Sequence, residues 1–334
     1  LKINKKKFEV IFFSNLNLEL HDNFTTFFKK QSTQWLDIIN LSDEKVVKMI
    51  RSLNIDILID LSGFFERNRL QVIANRCAKN QIGWLGYNNS LGLKNIDYLI
   101  ADPNLVKNDE LNLYSEKILF MPKIWNAMSI PEKLPKLNKI KNTKDNIFNY
   151  GSFNNYQKLS DDTIKVWSKI LKNSNSKIYL KNSILDSSKN IRDNIVYKFF
   201  KNGVNSDQVI ILERTKSIMD HYKSYKKIDL ALDTFPYPGV TTSFESILMG
   251  VPVLTMRGFN LNSRCGESIM RNLNLTELIA ENAEDYVEKA IALQDKKKLF
   301  KISGSNLKDK ALSSPLFDTD NFTKNFEKIM FNLV

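Results

Sequence analysis

The chain has 334 residues, 43% of them hydrophobic and 26% charged, with 11 Gly and 8 Pro. At roughly 150 residues per domain this is about two globular domains, which excludes a low-complexity tail, a collagen-like repeat or a coiled coil. Lys and Arg outnumber Asp and Glu by 49 to 37, but the lysines are scattered among asparagines, and the short runs 5–7, 139–144 and 296–298 read as solvated surface rather than a nucleic-acid grip.

In chain order, Lys5 to Lys7 and the apolar residues after them imitate a signal peptide. Glu9 interrupts that run and Ser14 ends it early, so 8–13 reads as a core strand. Further strands are expected at 35–39, 55–61, 81–85 and 98–101. A helix opened by Ser42 lies between the second and third, with Asp43 and Glu44 at its positive end and Val46, Val47, Ile50 and Leu53 on one face. The stretch from about 124 to 145 carries Pro131, Pro135 and interspersed Lys and Asn without a sustained period, which marks a linker. A second alternating set follows, with strands at 147–150, 177–180, 209–213, 228–232 and 251–256. Its first helix begins at Ser160, followed by Asp161 and Asp162, with Ile164, Trp167, Ile170 and Leu171 as the buried stripe.

Strands alternating with helices predict an α/β fold with parallel sheets. The expected organisation is an amino-terminal Rossmann-like domain at 1–125, a linker at 126–145 and a carboxyl-terminal Rossmann-like domain at 146–334. Two facing doubly wound domains predict a ligand cleft outside the carboxyl ends of their strands. No apolar stretch approaches the roughly 20 residues of a membrane-spanning helix, so no membrane insertion and a cytoplasmic location are expected. Two distant cysteines, Cys77 and Cys265, and two histidines, His21 and His221, offer neither a disulfide framework nor a metal cluster.

The segment 229–246 is the most informative. A buried strand enters a loop with Pro236, Pro238 and Gly239, and the loop enters a helix starting near Thr241 and ending at Gly250. Unpaired N–H groups at such a start attract anions, Gly239 allows close approach, and Thr241 and Thr242 add hydroxyl donors, so this is a candidate diphosphate cradle. One threonine can instead simply cap the helix. Glu245, one turn in, can reach a ribose hydroxyl or complement the dipole. Lys158, in a strand-to-helix bridge with Asn154 and Asn155, can neutralise a phosphate or stand as a surface lysine. His221, before the 228 strand, can contact a nucleotide or serve packing alone. Neither a dinucleotide-binding glycine fingerprint nor a P-loop is present.

In order along the chain, 57–63, Asn68-Arg69-Leu70, 81–87, Gly92 with 97–102, 114–116, 151–160, 229–242, 249–253, Ser263-Arg264 with Gly266 and Ser268, and 313–316 resemble the O-linked N-acetylglucosamine transferase and SPINDLY family of GT-B glycosyltransferases. The resemblance runs from about residue 8 to the end. It implies inverting transfer, without a metal or cofactor, of a sugar from a nucleotide-sugar to a protein Ser or Thr hydroxyl. A UDP-sugar carrying N-acetylglucosamine is its first implied donor. On the residues alone, uridine or guanosine and N-acetylglucosamine, glucose or fucose all remain open.

The resemblance also assigns roles. Lys158 contacts the donor diphosphate and is the catalytic cation, Asn155 and His221 line the nucleotide site, and Thr241 and Thr242 hold phosphates at the helix start. The position of Glu245 carries a ribose-binding acid. The family's first strand, its His-bearing loop and the tetratricopeptide repeats that recruit acceptors are expected upstream of residue 1. Phe64 stands after Gly63 where bacterial members usually carry His. The expected partners are a nucleotide-sugar and a protein or peptide acceptor, with no nucleic acid. The alternative is an inactive nucleotide-sugar-binding module of the same fold.

Overall fold

The computed structural model describes residues 2–136 and 147–334. The lysine-bearing run 139–144 and the expected linker from 137 onward lie outside the described residues. The chain divides into two compact units, one formed by Leu1–Asn126 with Thr319–Val334 and the other by Ala127–Asp318.

In the first unit, strand β1 (Ile11–Ser14) runs parallel to β2 (Gln34–Asp37). A four-stranded parallel sheet holds β3 (Ile57–Asp60), β4 (Asn80–Gly83), β5 (Tyr98–Ala101) and β6 (Lys117–Phe120) in that spatial order. The first strand starts three residues later than expected and includes Ser14, so Phe8 lies outside it. Phe13 packs against the cluster that holds Val46 and Ile50, whereas Phe8 packs against the one that holds Ile82, Ile100 and Met121. The helix Asp43–Ser52 starts as its sequence dictates: the Ser42 hydroxyl accepts from Lys45 N–H at 3.4 Å, and Val46, Val47 and Ile50 are buried. Leu53 lies at the helix end and is only half-buried.

The carboxyl-terminal helix Thr319–Phe331 corrects the expected domain division. Its Phe326 and Met330 join the Ile82, Ile100 and Met121 cluster, and the Phe326 ring lies 5.0 Å from that of Trp84. Asn80 Nδ2 also donates to the Leu333 carbonyl at 3.0 Å. The apolar stripe of this helix therefore completes the first unit's core, and residues 319–334 belong there.

The second unit contains a six-stranded parallel sheet: β7 (Phe148–Ser152), β8 (Ser176–Lys181), β9 (Val209–Leu212), β10 (Leu230–Leu232), β11 (Val253–Met256) and β12 (Ile279–Ala280). Their spatial order is β12-β11-β10-β7-β8-β9. The chain winds outward from β7 to β9, then crosses back and winds the other way from β10 to β12. Strand order reverses between β7 and β10, the position in an open α/β sheet where ligands are usually bound. The helix Asp161–Lys172 covers the sheet with Ile164, Trp167, Ile170 and Leu171, all buried, and the Ser160 hydroxyl caps it by accepting from Thr163 N–H at 3.1 Å. Among the described residues, no helix is long and apolar enough to cross a membrane.

Candidate functional site

The loops leaving β7 and β10 are tied together by Asp233. This carboxylate follows the apolar β10 directly and is 2% exposed. Its Oδ1 accepts from Asn154 Nδ2 at 2.9 Å, Thr234 N–H at 3.0 Å and Gly239 N–H at 2.6 Å, and its Oδ2 accepts from Thr255 Oγ1 at 3.0 Å. Burial pushes the Asp233 carboxyl up, and the converging donors and the nearby Lys158 charge oppose that rise. Asn154 continues the tie: its Nδ2 also donates to Thr234 Oγ1 at 2.9 Å, and its Oδ1 accepts from the Thr242 hydroxyl.

Lys158 sits on the β7 side and reaches the β10 side. Its Nζ donates to the Pro238 carbonyl at 2.8 Å and lies 4.0 Å from the centre of the Tyr237 ring. Burial lowers the pKa of this ammonium, and the Asp233 charge partly restores it. A partly desolvated cation is thus fixed beside the Pro/Gly loop.

The helix beyond that loop runs Thr241–Leu248, with Val240 as its N-cap and no side-chain cap. Neither threonine caps it, so an N-cap role for Thr241 or Thr242 is excluded. Thr241 is exposed and Thr242 half-buried. Gly239 is tied into the loop itself. Its N–H bonds Asp233, and an added Cβ would lie 2.5 Å from both Asn154 Oδ1 and Thr242 Oγ1. A side chain there would strike the loop's own Asn154–Thr242 contact, which is itself a reason for glycine at this position. The helix ends in a Schellman motif: Val251 N–H donates to the Ser246 carbonyl at 2.9 Å and Gly250 N–H to Ile247 at 2.9 Å, with Gly250 at φ +74°.

Deeper along this helix lies a second polar group. Glu245, 8% exposed, accepts at Oε2 from Tyr225 Oη at 3.1 Å and is 3.0 Å from His221 Nε2. The other imidazole nitrogen, Nδ1, lies 2.8 Å from Lys181 Nζ. Lys181, at the end of β8, is 7% exposed and also donates to Thr215 Oγ1 at 3.1 Å and Ser224 Oγ at 3.3 Å. Burial lowers the Lys181 pKa while Glu245 opposes that shift. Burial, and then the Glu245 charge, push the Tyr225 phenol well up, so it stays a neutral donor.

Of the residues expected from sequence, Lys158, Gly239 and Thr242 meet at the joined loops, and His221 and Glu245 pair with each other. Asn155 takes neither place: it is exposed, and its side chain accepts from Gln157 N–H at 3.2 Å. Its neighbour Asn154 is the buried one. Sequence reading also passed over Asp233, Lys181 and Tyr225. A lone acid directly after an apolar strand was the available signal for Asp233. The partners of Lys181 and Tyr225 are too remote in sequence to leave a local pattern.

Comparison with known proteins gives this geometry its context. The model of glycosyl transferase family 41 matches residues 2–144 and 137–326. A probable UDP-N-acetylglucosamine–peptide N-acetylglucosaminyltransferase SPINDLY of Eustoma exaltatum subsp. russellianum is 32% identical over 299 residues, covering 89% of this chain and 32% of its own. The like-named Arabidopsis thaliana protein is 31% identical over 308 residues, covering 91% and 33%. The chain thus spans about a third of the length of these curated relatives. A solved mutant of the Thermobaculum terrenum O-GlcNAc transferase superposes with a TM-score of 0.89 at 28% identity, covering 97% of this chain and 62% of its own. The Anabaena HepE protein, solved with UDP and glucose, shares the fold alone, with a TM-score of 0.57 at 12% identity over 93% of this chain and 90% of its own. The fold is α/β of the GT-B class. With both halves of the sequence matched and the parallel sheets in place, the chain belongs to glycosyl transferase family 41.

Proposed function

We propose that residues 127–318 hold the diphosphate of a nucleotide-sugar where the β7 and β10 loops meet. On this reading, the protein is an inverting, metal-independent glycosyltransferase that moves N-acetylglucosamine from a UDP-sugar to a protein Ser or Thr hydroxyl. The observation that carries the reading is the position of Lys158 Nζ, 2.8 Å from the Pro238 carbonyl on the loop that opens into the Thr241 helix. An anion at that helix start meets backbone N–H groups at the positive end of the dipole, the exposed Thr241 hydroxyl, and one fixed ammonium, while the Thr242 hydroxyl already donates to Asn154.

Cleavage of the bond from sugar to phosphate gathers negative charge on the leaving nucleoside diphosphate. A preorganised cation and N–H dipoles stabilise that charge more than they stabilise the bound donor, and this difference accelerates transfer. Glu245 uses Oε2 for its two internal contacts, which leaves Oε1 for a ribose hydroxyl. The relatives' names support the UDP donor and the peptide acceptor.

Replacing Lys158 by Ala is expected to lower transfer from UDP-N-acetylglucosamine to a peptide by about 10²–10³-fold, with circular dichroism unchanged. Unaltered turnover would remove Lys158 from the mechanism.

Phe64, 54% exposed and edge-on to Tyr87 with ring centroids 5.1 Å apart, motivates a second reading, an inert nucleotide-sugar-binding module. Calorimetry showing UDP binding with neither transfer nor donor hydrolysis would select it.

A further inference from the structure

The His221–Glu245 pair is held from behind by a buried cation that the proposed chemistry does not use. An ammonium group has three N–H donors and no acceptor. Lys181 Nζ meets three acceptors, His221 Nδ1 at 2.8 Å, Thr215 Oγ1 at 3.1 Å and Ser224 Oγ at 3.3 Å. Each donor is matched, although the lysine is 7% exposed and sits at the end of a sheet strand.

This match decides the hydrogen-bond direction on the imidazole. Because Lys181 only donates, Nδ1 accepts, and the single proton of a neutral ring is on Nε2. Nε2 lies 3.0 Å from Glu245 Oε2, an acceptor. The chain of donors therefore runs one way, from Lys181 through His221 to Glu245. The other side chains facing the imidazole are Tyr225, with centroids 5.6 Å apart, Tyr222 on its own helix at 5.9 Å, and Phe153 at 6.0 Å.

We propose that Lys181 is a positioning residue of the donor site: by donating to His221 Nδ1 it selects the Nε2–H tautomer, and that tautomer aims the Glu245 carboxylate. The inference rests on the reading of this site as a nucleotide-sugar site, but its first test does not. With Lys181 in place, His221 Nε2–H and Tyr225 Oη–H converge on one carboxylate oxygen. Without it, Nδ1 loses its donor, the two tautomers become comparable in energy, and the Nδ1–H form presents a bare Nε2 lone pair to the carboxylate, which repels it.

The chain holds two histidines, so nitrogen-15 NMR of the full chain resolves both rings, and a His21→Gln variant assigns them. His221 is expected as the Nε2–H tautomer in the unaltered protein and as a mixture in Lys181→Met. An Nδ1–H ring in the unaltered protein, or a tautomer unmoved in Lys181→Met, overturns the proposal. The first of these outcomes needs no variant, so it stands even if Lys181→Met fails to fold.

Kinetics with UDP-N-acetylglucosamine provide the second test. Lys181→Met is expected to raise the donor KM about tenfold with kcat within about twofold, as for a lost hydrogen bond in a binding network. In a Glu245→Gln background the same change adds less than about twofold, because its effect passes through Glu245. Independent, multiplying effects overturn the proposal. If the unaltered protein neither binds nor turns over this donor, the functional reading fails, while the NMR result still decides the role of Lys181.

Discussion

A carboxylate that accepts from several donors cannot become an amide without turning one acceptor into a donor. Asp233 accepts from Asn154, Thr234, Gly239 and Thr255, so Asp233→Asn either sets an NH2 against the three N–H donors on Oδ1 or forces the Thr255 hydroxyl to reverse, and in both cases it removes the charge these donors face. The expected cost is about 2–4 kcal/mol, read as a lower denaturant midpoint with an unchanged slope. Lys158 makes a pH prediction. Burial lowers its pKa below the ordinary 10.5, so the free protein loses this cation sooner than an exposed lysine would as pH rises. The alkaline limb of kcat/KM, which reports free-enzyme groups, should bend down below pH 10.5, and Lys158→Arg should move that bend upward. At this scale the sequence marked the segment 154–158 but not which asparagine turns inward. Asn154 and Asn155 are the same residue type side by side, and only the phase of the turn after β7 sends one inward and leaves the other exposed.

Helices with strong end signals were legible, and short strands less so. The helices at Asp43–Ser52 and Asp161–Lys172 carry a serine cap, first-turn acids and a 3.6-period stripe, and their buried faces follow that pattern. Lys117–Phe120 and Ile279–Ala280 have four and two residues, too few to display a period. They are strands because β5 and β11 offer them an open edge. For the helix over the candidate site, Gly250 has φ +74°, and an added Cβ would lie 2.7 Å from the Gly304 carbonyl oxygen. Gly250→Ala should therefore cost more than the roughly 1 kcal/mol of a strained C-cap alone, measured as a fall in Tm, whereas Ala at the open Gly92 site meets backbone strain without that clash.

The whole molecule is two units that are not consecutive in sequence, because residues 319–334 return to the first. Alternation of strands and helices announced two α/β domains, but nothing local in Phe326 or Met330 says which core they enter. Removing 319–334 takes Phe322 and Phe326 away from Trp84, with centroids now 6.1 and 5.0 Å from it. The truncated chain is expected to lose about 3–5 kcal/mol from the first unit, seen as an earlier thermal transition and red-shifted tryptophan emission. A single melt at the original temperature would contradict that assignment.

The returning helix also sets an order of events during synthesis. Translation delivers residues 1–126 before the aromatic ring and thioether that close their interior, Phe326 and Met330, which follow only after the whole intervening unit has been made. The intervening Ala127–Asp318 unit is fully available before them and can settle on its own. The segment 1–126 must therefore wait with an open apolar surface around Ile82 and Met121, the interval in which a holding chaperone would have most to protect.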